Sequence, residues 1–446
     1  ATNIGIGGRS LFTTEIPIAV GGSLFFDYRN GQPLSSKQLA AGLELLSPRV
    51  DLRCNGYLPI GRVSKTSPPT YAGFSGNRCL ATYDMTAALS KVEGELGFPL
   101  WGVGEWLDLY AAFGGYYLFP RTVERHELGS AAGGSARLSL RPLDALSLDL
   151  SVTYDSIYQT RVQGQLSLSV PFGSATSRSR GKRAAGGGSS FVRRRLMTQD
   201  VVRSPIIPFQ ERRVTEAALR RFVFCDNRFG SSGTFEDPYG TLADALANSK
   251  VGDTIVFLPG DGTPARNESV SLTMKYGQSL IGGSEPIPMK GFVIPPLTPG
   301  RRPRLSGAQF APALAVAESC EVRGIDIEGG WQGIALLPSA SYTRLSNIGL
   351  QNVEVGISSL QRLSKEKRSY RPVHDPRPGE LSIRNISCRD VGCGIDIVTH
   401  PGSRVTVDHT DIDRARACGI RLCTIDGETT ITDTQVRYAP VSIVAS

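Results

Sequence analysis

The sequence lacks most of the features that assign a chain to a familiar biochemical class. Its 446 residues contain no run of about 18 apolar residues, so we expect no transmembrane helix. There is no CxxC pair and there are only four His, so a structural zinc site is not expected. The catalytic motifs GxSxG and HExxH are missing. No signal peptide is visible at Ala1, so we expect either a removed precursor segment or a fragment.

What the chain does contain is alternation. Residues 134–141, 145–155 and 160–173 carry Leu, Val or Tyr at every second position, with polar residues between them. Successive side chains of a strand point to opposite faces, so each strand would have one apolar and one polar face. Their length, about 9–11 residues, spans a bilayer when the strand is tilted. A mean hydropathy of −0.11 is compatible with this, because half of each strand would face a polar lumen.

The same pattern predicts nine strands in residues 1–173, which we interpret as an antiparallel transmembrane β-barrel. Bacterial single-chain barrels have even strand numbers, so we expect N-terminal strands to be missing. The predicted strands are residues 3–12, 18–29, 37–46, 49–58, 85–98, 106–118, 134–141, 145–155 and 160–173, with long polar connections such as 62–83. The side chains expected to face lipid include Leu148, Leu150, Val152, Leu166, Leu168 and Val170. Those expected to face the lumen include Asp149, Ser151, Gln165 and Ser167.

Residues 174–221 form a basic linker, with twelve Lys and Arg against three Asp and Glu. No aromatic residues interleave the arginines, so we do not expect a nucleic-acid partner. An extended basic segment after the last strand could thread a polar lumen or touch anionic lipid head groups. Its partners in the lumen would be acidic residues on the polar strand faces: Glu93, Glu95, Asp108, Asp149 and Asp155.

Residues 222–446 have a different sequence pattern from the preceding zones, and part of it is repeated along the chain. After a short helix at 241–249 and a buried strand at 254–258, Gly-Ile pairs begin at Gly333, Gly356, Gly394 and Gly419. The long interval contains a charged insertion, 361–379, which we expect to bulge outward and to be protease-sensitive. Without it the period is in the low twenties, which predicts a right-handed parallel β-helix, with a leucine-rich repeat as second choice. The side chains expected to stack inward include Ile325, Ile327, Ile334, Ile395, Ile397 and Ile420.

The cysteines number eight and are widely spaced. We expect most of them to be isolated thiols facing a core. A disulfide such as Cys393–Cys418, between neighbouring coils, remains an open alternative.

Several stretches of residues 1–173 form recognisable motifs: residues 3–8 (NIGIGG) with Arg9, 22–28 (GSLFFDY), 39–43 (LAAGL), 50–59 (VDLRCNGYLP) and 163–173. In these stretches the first zone resembles the inverse autotransporter β-domain of intimin- and invasin-type proteins. The resemblance implies a twelve-stranded outer-membrane barrel that precedes an exported passenger, with a linker running through the pore. It also implies outer-membrane lipid, the outer-membrane assembly machinery and periplasmic chaperones as partners.

Residues 222–446 resemble the pectate-lyase-like β-helix found on other members of that family. The matching stretches are 233–238 (GTFEDP), Thr241-Leu242 and 252–262 (GDTIVFLPGDG). Two departures stand out: nine strands instead of twelve, and a passenger that is not a chain of immunoglobulin-like domains. Receptor-binding residues are therefore not carried over.

Catalytic chemistry on a β-helix would need carboxylates clustered on one face of neighbouring coils. The candidates are Asp326, Glu328, Asp390, Asp396, Asp408, Asp411 and Asp413. Aspartates that hold coil corners explain each of them more simply, and they do not recur at one register. The GDG at 260–262 is compatible with a Ca²⁺ loop and equally with a turn. We assign no catalytic, cofactor or metal residues.

Together these observations predict an all-β chain of three parts: a barrel at 1–173, a linker at 174–221 and a β-helical passenger at 222–446. We expect it in a bacterial outer membrane, with the passenger at the cell surface serving adhesion to an unknown receptor or glycan. The alternatives are a surface-tethered carbohydrate-active enzyme and a fully soluble β protein. The soluble protein requires a second sheet over the apolar strand faces.

Overall fold

The computed structural model describes residues 2–445 with gaps at 14–15, 32–33, 101–107, 144–145, 169–195, 198, 200, 205, 266–271, 338–339, 360–378, 400–401 and 425–426. The described chain is almost entirely β, with a short helix, α1, at Leu242–Asn248. In the described residues no helix has the length and apolar character needed to cross a membrane. The chain divides into two units. The first contains Ala1–Ser67 and Tyr83–Val214, and the second contains Pro68–Thr82 and Thr215–Ser446.

The first unit is built on an antiparallel sheet. Up to residue 168 the strands are β1 Thr2–Thr13, β2 Pro17–Arg29, β3 Ser36–Leu46, β4 Asp51–Ile60, β5 Ser64–Thr66, β6 Thr70–Ser75, β7 Arg78–Ala88, β8 Lys91–Pro99, β9 Asp108–Leu118, β10 Arg121–Val123, β11 His126–Leu128, β12 Ala131–Leu143, β13 Leu146–Asp155 and β14 Gln159–Leu168. Nine of them form one sheet in the order β1-β2-β3-β4-β8-β9-β12-β13-β14. Among the described residues no pairing joins β1 to β14.

Two predictions about this sheet need correction. The strand expected at 85–98 is two strands, because β7 ends at Ala88 after pairing with β5 and β6, whereas β8 begins at Lys91 and pairs with β4 and β9. The connection 62–83, expected to be a polar loop, contains β5, β6 and the start of β7, and β6 pairs with β7 as a hairpin. Residues 68–82 of this connection belong to the second unit. Of the expected strand residues, 106–107 and 169–173 lie outside the described residues.

The sheet has an apolar and a polar face, and cross-strand pairing aligns each into rows. One apolar row crosses eight strands: Val20, Leu45, Leu52, Leu96, Phe113, Ala136, Val152 and Val162. Leu148 and Leu150 on β13 and Leu166 and Leu168 on β14 share this face and are 47–73% exposed. Asp149, Ser151, Gln165 and Ser167 lie on the opposite face. Val170 lies outside the described residues.

The second unit consists of short strands in parallel register. Its strands are β15 Phe209–Cys225, β16 Thr254–Phe257, β17 Leu272–Thr273, β18 Ser279–Gly282, β19 Ile287–Met289, β20 Phe292–Ile294, β21 Arg304–Ser306, β22 Pro312–Val316, β23 Glu321–Arg323, β24 Asp326–Glu328, β25 Gln332–Leu336, β26 Thr343–Gln351, β27 Val355–Ser358, β28 Glu380–Thr399, β29 Arg404–Asp408, β30 Asp411–Thr424, β31 Glu428–Thr432, β32 Gln435–Arg437 and β33 Val441–Ala445. β19 and β20 are an antiparallel hairpin.

The parallel pairings form three ladders. Ladder A joins β15, β16, β18, β23, β26, β28, β29 and β31. Ladder B joins β21, β24, β26, β28, β30 and β32. Ladder C joins β17, β22, β25, β27, β28, β30 and β33. Successive repeats of the sequence therefore add one strand to each ladder.

Stacked aliphatic side chains fill the space inside the ladders. On ladder C, Ile334, Ile357, Ile395 and Ile420 stand in consecutive register. All six isoleucines predicted to point inward, Ile325, Ile327, Ile334, Ile395, Ile397 and Ile420, are 0–1% exposed and lie in one cluster, which confirms that expectation.

The Gly of each Gly-Ile pair is required by the close approach of stacked backbones. A Cβ built on Gly356 would lie 2.4 Å from the carbonyl oxygen of Gly394, and one built on Gly394 would lie 2.6 Å from that of Gly419. Real Cβ atoms do not approach oxygen that closely, so the repeat in the sequence follows from the stacking distance.

Residues with positive φ recur once per repeat at two corners. Between ladders A and B they are Asn347, Asn385, His409 and Asp433, with φ of 54°, 51°, 48° and 46°. Between ladders B and C they are Asn352, Asp390, Arg414 and Tyr438, with φ of 56°, 57°, 59° and 54°. Asn and Asp tolerate this conformation best, which explains their frequency there.

Cys393 and Cys418 form a disulfide across β28 and β30, 25 residues apart, as the sequence allowed. Cys79, Cys225, Cys320 and Cys388 are buried free thiols. These four agree with the expectation that most thiols face a core, and Cys54 is an exposed exception, because alternation along β4 places it on the apolar face of the sheet. The insertion 361–379 lies almost wholly outside the described residues.

Candidate functional site

Charged side chains meet on the polar face of the first unit. Alternation along β3 and β4 puts Glu44 and Arg53 on this face, and β8, β12 and β13 contribute Glu95, Arg137 and Asp149. In sheet order these five residues alternate in the sign of their charge. The face is therefore a continuous ion-pair network and not a set of isolated charges.

The geometry of the network is close. The Arg53 guanidinium lies 3.1 Å from a Glu95 oxygen and donates to the Tyr110 hydroxyl at 2.7 Å. The Arg137 guanidinium donates to Glu95 at 2.7 Å and to Asp149 at 3.1 Å. The side chain of Arg53 is only 2% exposed. Charges this far from water are tolerated only when they are paired and hydrogen-bonded.

Residues 196–208, which we call the crossing segment, lie along this polar face; 198, 200 and 205 are outside the described residues. Gln199 donates to Asp51 at 3.2 Å, Asn55 donates to the carbonyl of residue 202 at 3.1 Å, and the amide of Ser204 donates to the Tyr57 hydroxyl at 2.7 Å. These contacts follow β4 in order, so the crossing segment runs extended beside that strand.

Two contacts hold the crossing segment more firmly. Leu196 is 1% exposed and packs against Ala19 and Leu46. The Arg203 guanidinium donates to both oxygens of Asp27, at 2.8 and 2.9 Å, and lies over the ring of Phe25, 4.0 Å from its centroid. Asp27 is itself 1% exposed, so each charge is neutralised by the other.

The prediction of acidic partners for the linker was wrong in the case of Arg203, which pairs with Asp27. Glu93 and Glu95 pair with strand residues, and Asp155 accepts from Tyr116. Asp149 pairs with Arg137, and the side chain of Asp108 lies outside the described part. Asp27 was not predicted as an ion-pair partner of the linker. It lies in the aromatic run FFDY, and nothing in the neighbouring sequence indicates that it pairs with a distant arginine. Linker arginines 178–195 also lie outside the described residues.

Beside the crossing segment is a cavity of about 690 Å³. Strands β1, β4, β8, β9, β12, β13 and β14 line it together with the crossing segment. Charged side chains such as Arg137, Asp149 and Arg161 lie there beside apolar ones such as Leu118 and Ile206. The charged side chains of this lining suit water or a polar segment of chain.

The carboxylates predicted as candidates on the second unit are each engaged with a neighbour. Asp411 lies 2.7 Å from Arg437, and Asp390 and Asp413 share Arg414 at 2.9 and 3.3 Å. The remaining contacts are Asp326 with Arg302 at 3.5 Å, Glu328 with Arg304 at 3.6 Å, Asp396 with Arg421 at 2.7 Å, and Asp408 with His409 at 2.8 Å. Positive φ also identifies Asp390 as a corner residue.

In the described residues, the side chains of Asp408, His409 and Asp433 have the composition and spacing of metal ligands, since their ligand atoms lie within 4.8 Å of one another. A hydrogen bond from Thr432, at 2.6 Å, lowers the pKa of Asp408. His409 and Asp433 are 65% and 72% exposed. Sequence reasoning missed this group because its members come from successive coils.

The GDG turn is held by hydrogen bonds to Asp261. Its Oδ1 accepts from the amide of Thr263 at 2.8 Å, from the Thr263 hydroxyl at 2.7 Å and from Asn227 at 2.7 Å. These bonds, the Thr263 hydroxyl first, lower the pKa of Asp261 to about 2. Of the two interpretations of GDG, the turn accounts for the contacts observed.

Searched against protein-family models, curated proteins and solved structures, the chain matches none of them. Its function is therefore inferred from the geometry of the two units. The most distinctive feature of that geometry is the sheet, whose charged polar face is covered by the crossing segment and whose apolar face no described residues cover.

Proposed function

We propose that the first unit is an outer-membrane β-barrel of the inverse autotransporter type, related to intimin and invasin, which exports and displays the second unit at the bacterial cell surface. The second unit would be a right-handed parallel β-helix that serves adhesion or another surface interaction. The observation that carries the proposal is the exposed apolar row, in which Leu52 is 51%, Phe113 62% and Val162 64% exposed.

The apolar face argues for lipid as its surroundings. Burying apolar surface is worth about 25 cal/mol per Å², so a soluble protein would cover a face of this size with a second sheet. No described residues do so: the large apolar side chains of this face remain exposed on strands β1 to β14. In hydrocarbon the same exposure is favourable, and it fits the outward face of a membrane-spanning strand.

The polar face argues for a closed lumen that contains chain. Irregular backbone at membrane depth is tolerated only inside protein or water. The crossing segment is irregular, yet it is bonded through Arg203, Gln199 and Ser204 to the polar face. Closure of the proposed barrel requires further strands to pair with β1 and β14. Twelve strands, as the resemblance implies, would provide them.

The three ladders and their single aliphatic core support the β-helix as the displayed part. The alternative, a surface-tethered carbohydrate-active enzyme, would need two carboxylates facing one substrate across about 5–9.5 Å. The candidate carboxylates instead contact basic neighbours. We therefore favour display and adhesion.

The proposal is tested with Leu150→Arg. Leu150 is 49% exposed on the apolar face, so an arginine there would meet lipid and cost about 2–4 kcal/mol near mid-bilayer. We expect the variant to lose membrane insertion, measured as heat-modifiable migration of outer-membrane fractions. Gln165→Arg is the matched control, because Gln165 lines the polar cavity and should accept a charge. Normal heat-modifiable migration of Leu150→Arg would overturn the membrane proposal.

A further inference from the structure

The outside of the first ladder A strands is apolar, unlike that of the later ones. On β15, Val223 and Cys225 point into the core, whereas Phe222 and Phe224 point outward, and Val256 and Ile281 continue this outward patch on β16 and β18. The next strands carry Glu321 and Arg323, then Arg344 and Ser346, at the corresponding positions. The first three coils therefore have an outer surface that needs cover.

The cover comes from far upstream in the chain. Residues 68–82, which contain β6, the turn at 76–77 and the first residues of β7, pack on this patch. The ring of Phe74 lies 5.2 Å from that of Phe222, 4.9 Å from that of Phe224 and 5.3 Å from that of Phe235. Cys79, opposite Phe74 in the hairpin, is completely buried in the same cluster. Phe222 and Phe224 are thereby also completely buried.

Backbone groups reinforce the packing. The amide of Phe222 donates to the carbonyl of Asn77 at 2.9 Å, and the Asn77 side chain donates to the carbonyls of Phe222 and Gly233 at 2.7 and 2.8 Å. The amide of Phe235 donates to the carbonyl of Gly76 at 3.0 Å. The hairpin thus takes up polar groups of the first coil that no preceding coil could satisfy.

We propose that residues 68–82 are a template on which the parallel ladders begin to fold. A stack of repeats is stabilised by neighbours, so the first coil has the least to pair with and is the costly step. The β6–β7 hairpin is paired through local contacts around the tight turn at Gly76 and Asn77, so its pairing does not have to wait for the ladders. It is also synthesised before Phe222, and it can receive the first coil as soon as that coil arrives.

This inference does not depend on the proposed membrane location, since all of its contacts lie within 68–82 and 215–446. A template and a cover that docks late differ in whether the contacts of residues 68–82 are already formed in the folding transition state. Removing a contact already made in the folding transition state slows refolding, whereas removing a late contact speeds unfolding.

The test uses the purified full-length chain with Trp101 and Trp106 replaced by Phe, which leaves Trp331 as the reporter on the second unit. Refolding and unfolding rates are measured for Phe74→Leu. We expect a tenfold fall in its folding equilibrium constant to appear as about a tenfold fall in the refolding rate. Ile420→Val, which thins the core of a distant coil, is the control, and its change should appear as faster unfolding.

If Phe74→Leu leaves the refolding rate unchanged and speeds unfolding, the hairpin is a late cover and the proposal is overturned. If Phe74→Leu does not fold at all, Asn77→Ala gives the same comparison, because it removes only the two side-chain hydrogen bonds to the first coil.

Discussion

The space between stacked backbones determines which residue type fits at particular positions of the ladders. Gly333, Gly356, Gly394 and Gly419 occupy points where a backbone carbonyl of the next coil approaches closely. Nothing about glycine's flexibility is needed to explain them, since none of the four has positive φ. They are present because any Cβ would collide with the next coil.

Gly394→Ala should therefore destabilise the second unit. Its Cβ would lie 2.6 Å from the Gly419 carbonyl oxygen and 2.6 Å from a methyl carbon of Ile412, and overpacking of this kind costs about 1–3 kcal/mol. Urea unfolding followed by Trp331 fluorescence measures the loss. Gly230→Ala is the control, since a Cβ there meets nothing within 4 Å. Equal stability of the two variants would contradict the stacking explanation.

Asp261 makes the first coil sensitive to acid. Hydrogen bonds from Thr263 and Asn227 lower its pKa to about 2 in the folded chain, against about 4 when unfolded. A lowered acid pKa gives stability that is complete above the unfolded value and is lost as pH falls through the folded value. We expect Asp261→Asn to be less stable than the parent at neutral pH, with the difference shrinking between about pH 4 and pH 2. Melting temperatures across that range measure it, and a difference that does not change with pH would refute the assignment.

Among the elements, the crossing segment is held in position by a buried ion pair. Arg203 and Asp27 are 11% and 1% exposed, and within the described part of the chain each is the other's ion-pair partner. Breaking a buried pair by removing one partner typically costs about 3–5 kcal/mol. The ion pair therefore acts as the clamp of the segment.

Arg203→Glu should release the crossing segment, because it places a second carboxylate against that of Asp27. We expect chymotrypsin to cut between Leu196 and Phe209 at least several times faster than in the parent protein. Arg212→Glu is the control, because Arg212 is exposed and, among the residues that the structure describes, its side chain donates to the carbonyl of residue 127 at 3.4 Å and to no carboxylate. Cleavage at the parental rate in Arg203→Glu would show that the clamp lies elsewhere.

For the whole molecule, the proposed topology predicts which parts a protease can reach. Trypsin added to intact cells should remove residues from 222 onward and leave a fragment made of the first unit and the crossing segment. The first cuts should fall in the insertion 361–379, which is rich in Lys and Arg. Immunoblots with antibodies to each unit follow the products. Survival of the second unit until the cells are lysed would place it in the periplasm and end the adhesion proposal.

The alternation in the first unit and the repeat in the second could be recognised from the sequence, because each follows from interactions that recur at a fixed spacing along the chain. Burial of one face imposes a period of two on a strand, so the two faces of β13 and β14 could be predicted. Stacking places a Gly-Ile pair in four successive coils, at Gly333, Gly356, Gly394 and Gly419, so the inward isoleucines of those coils could be predicted as well. The break between Ala88 and Lys91 was not predicted, because it depends on which strands β7 and β8 pair with and leaves no period in the sequence.

By itself, the sequence determined that the chain is all β, that one zone has two-faced strands and that another repeats as stacked coils. Only the tertiary structure decided that 68–82 joins the second unit, that Arg203 meets Asp27 and that each candidate carboxylate contacts a basic or imidazole neighbour. The physical reason is range. Periodicity records which face of a residue is buried, whereas a pairing between residues 27 and 203, or 74 and 222, depends on where distant segments meet and leaves no period in the chain.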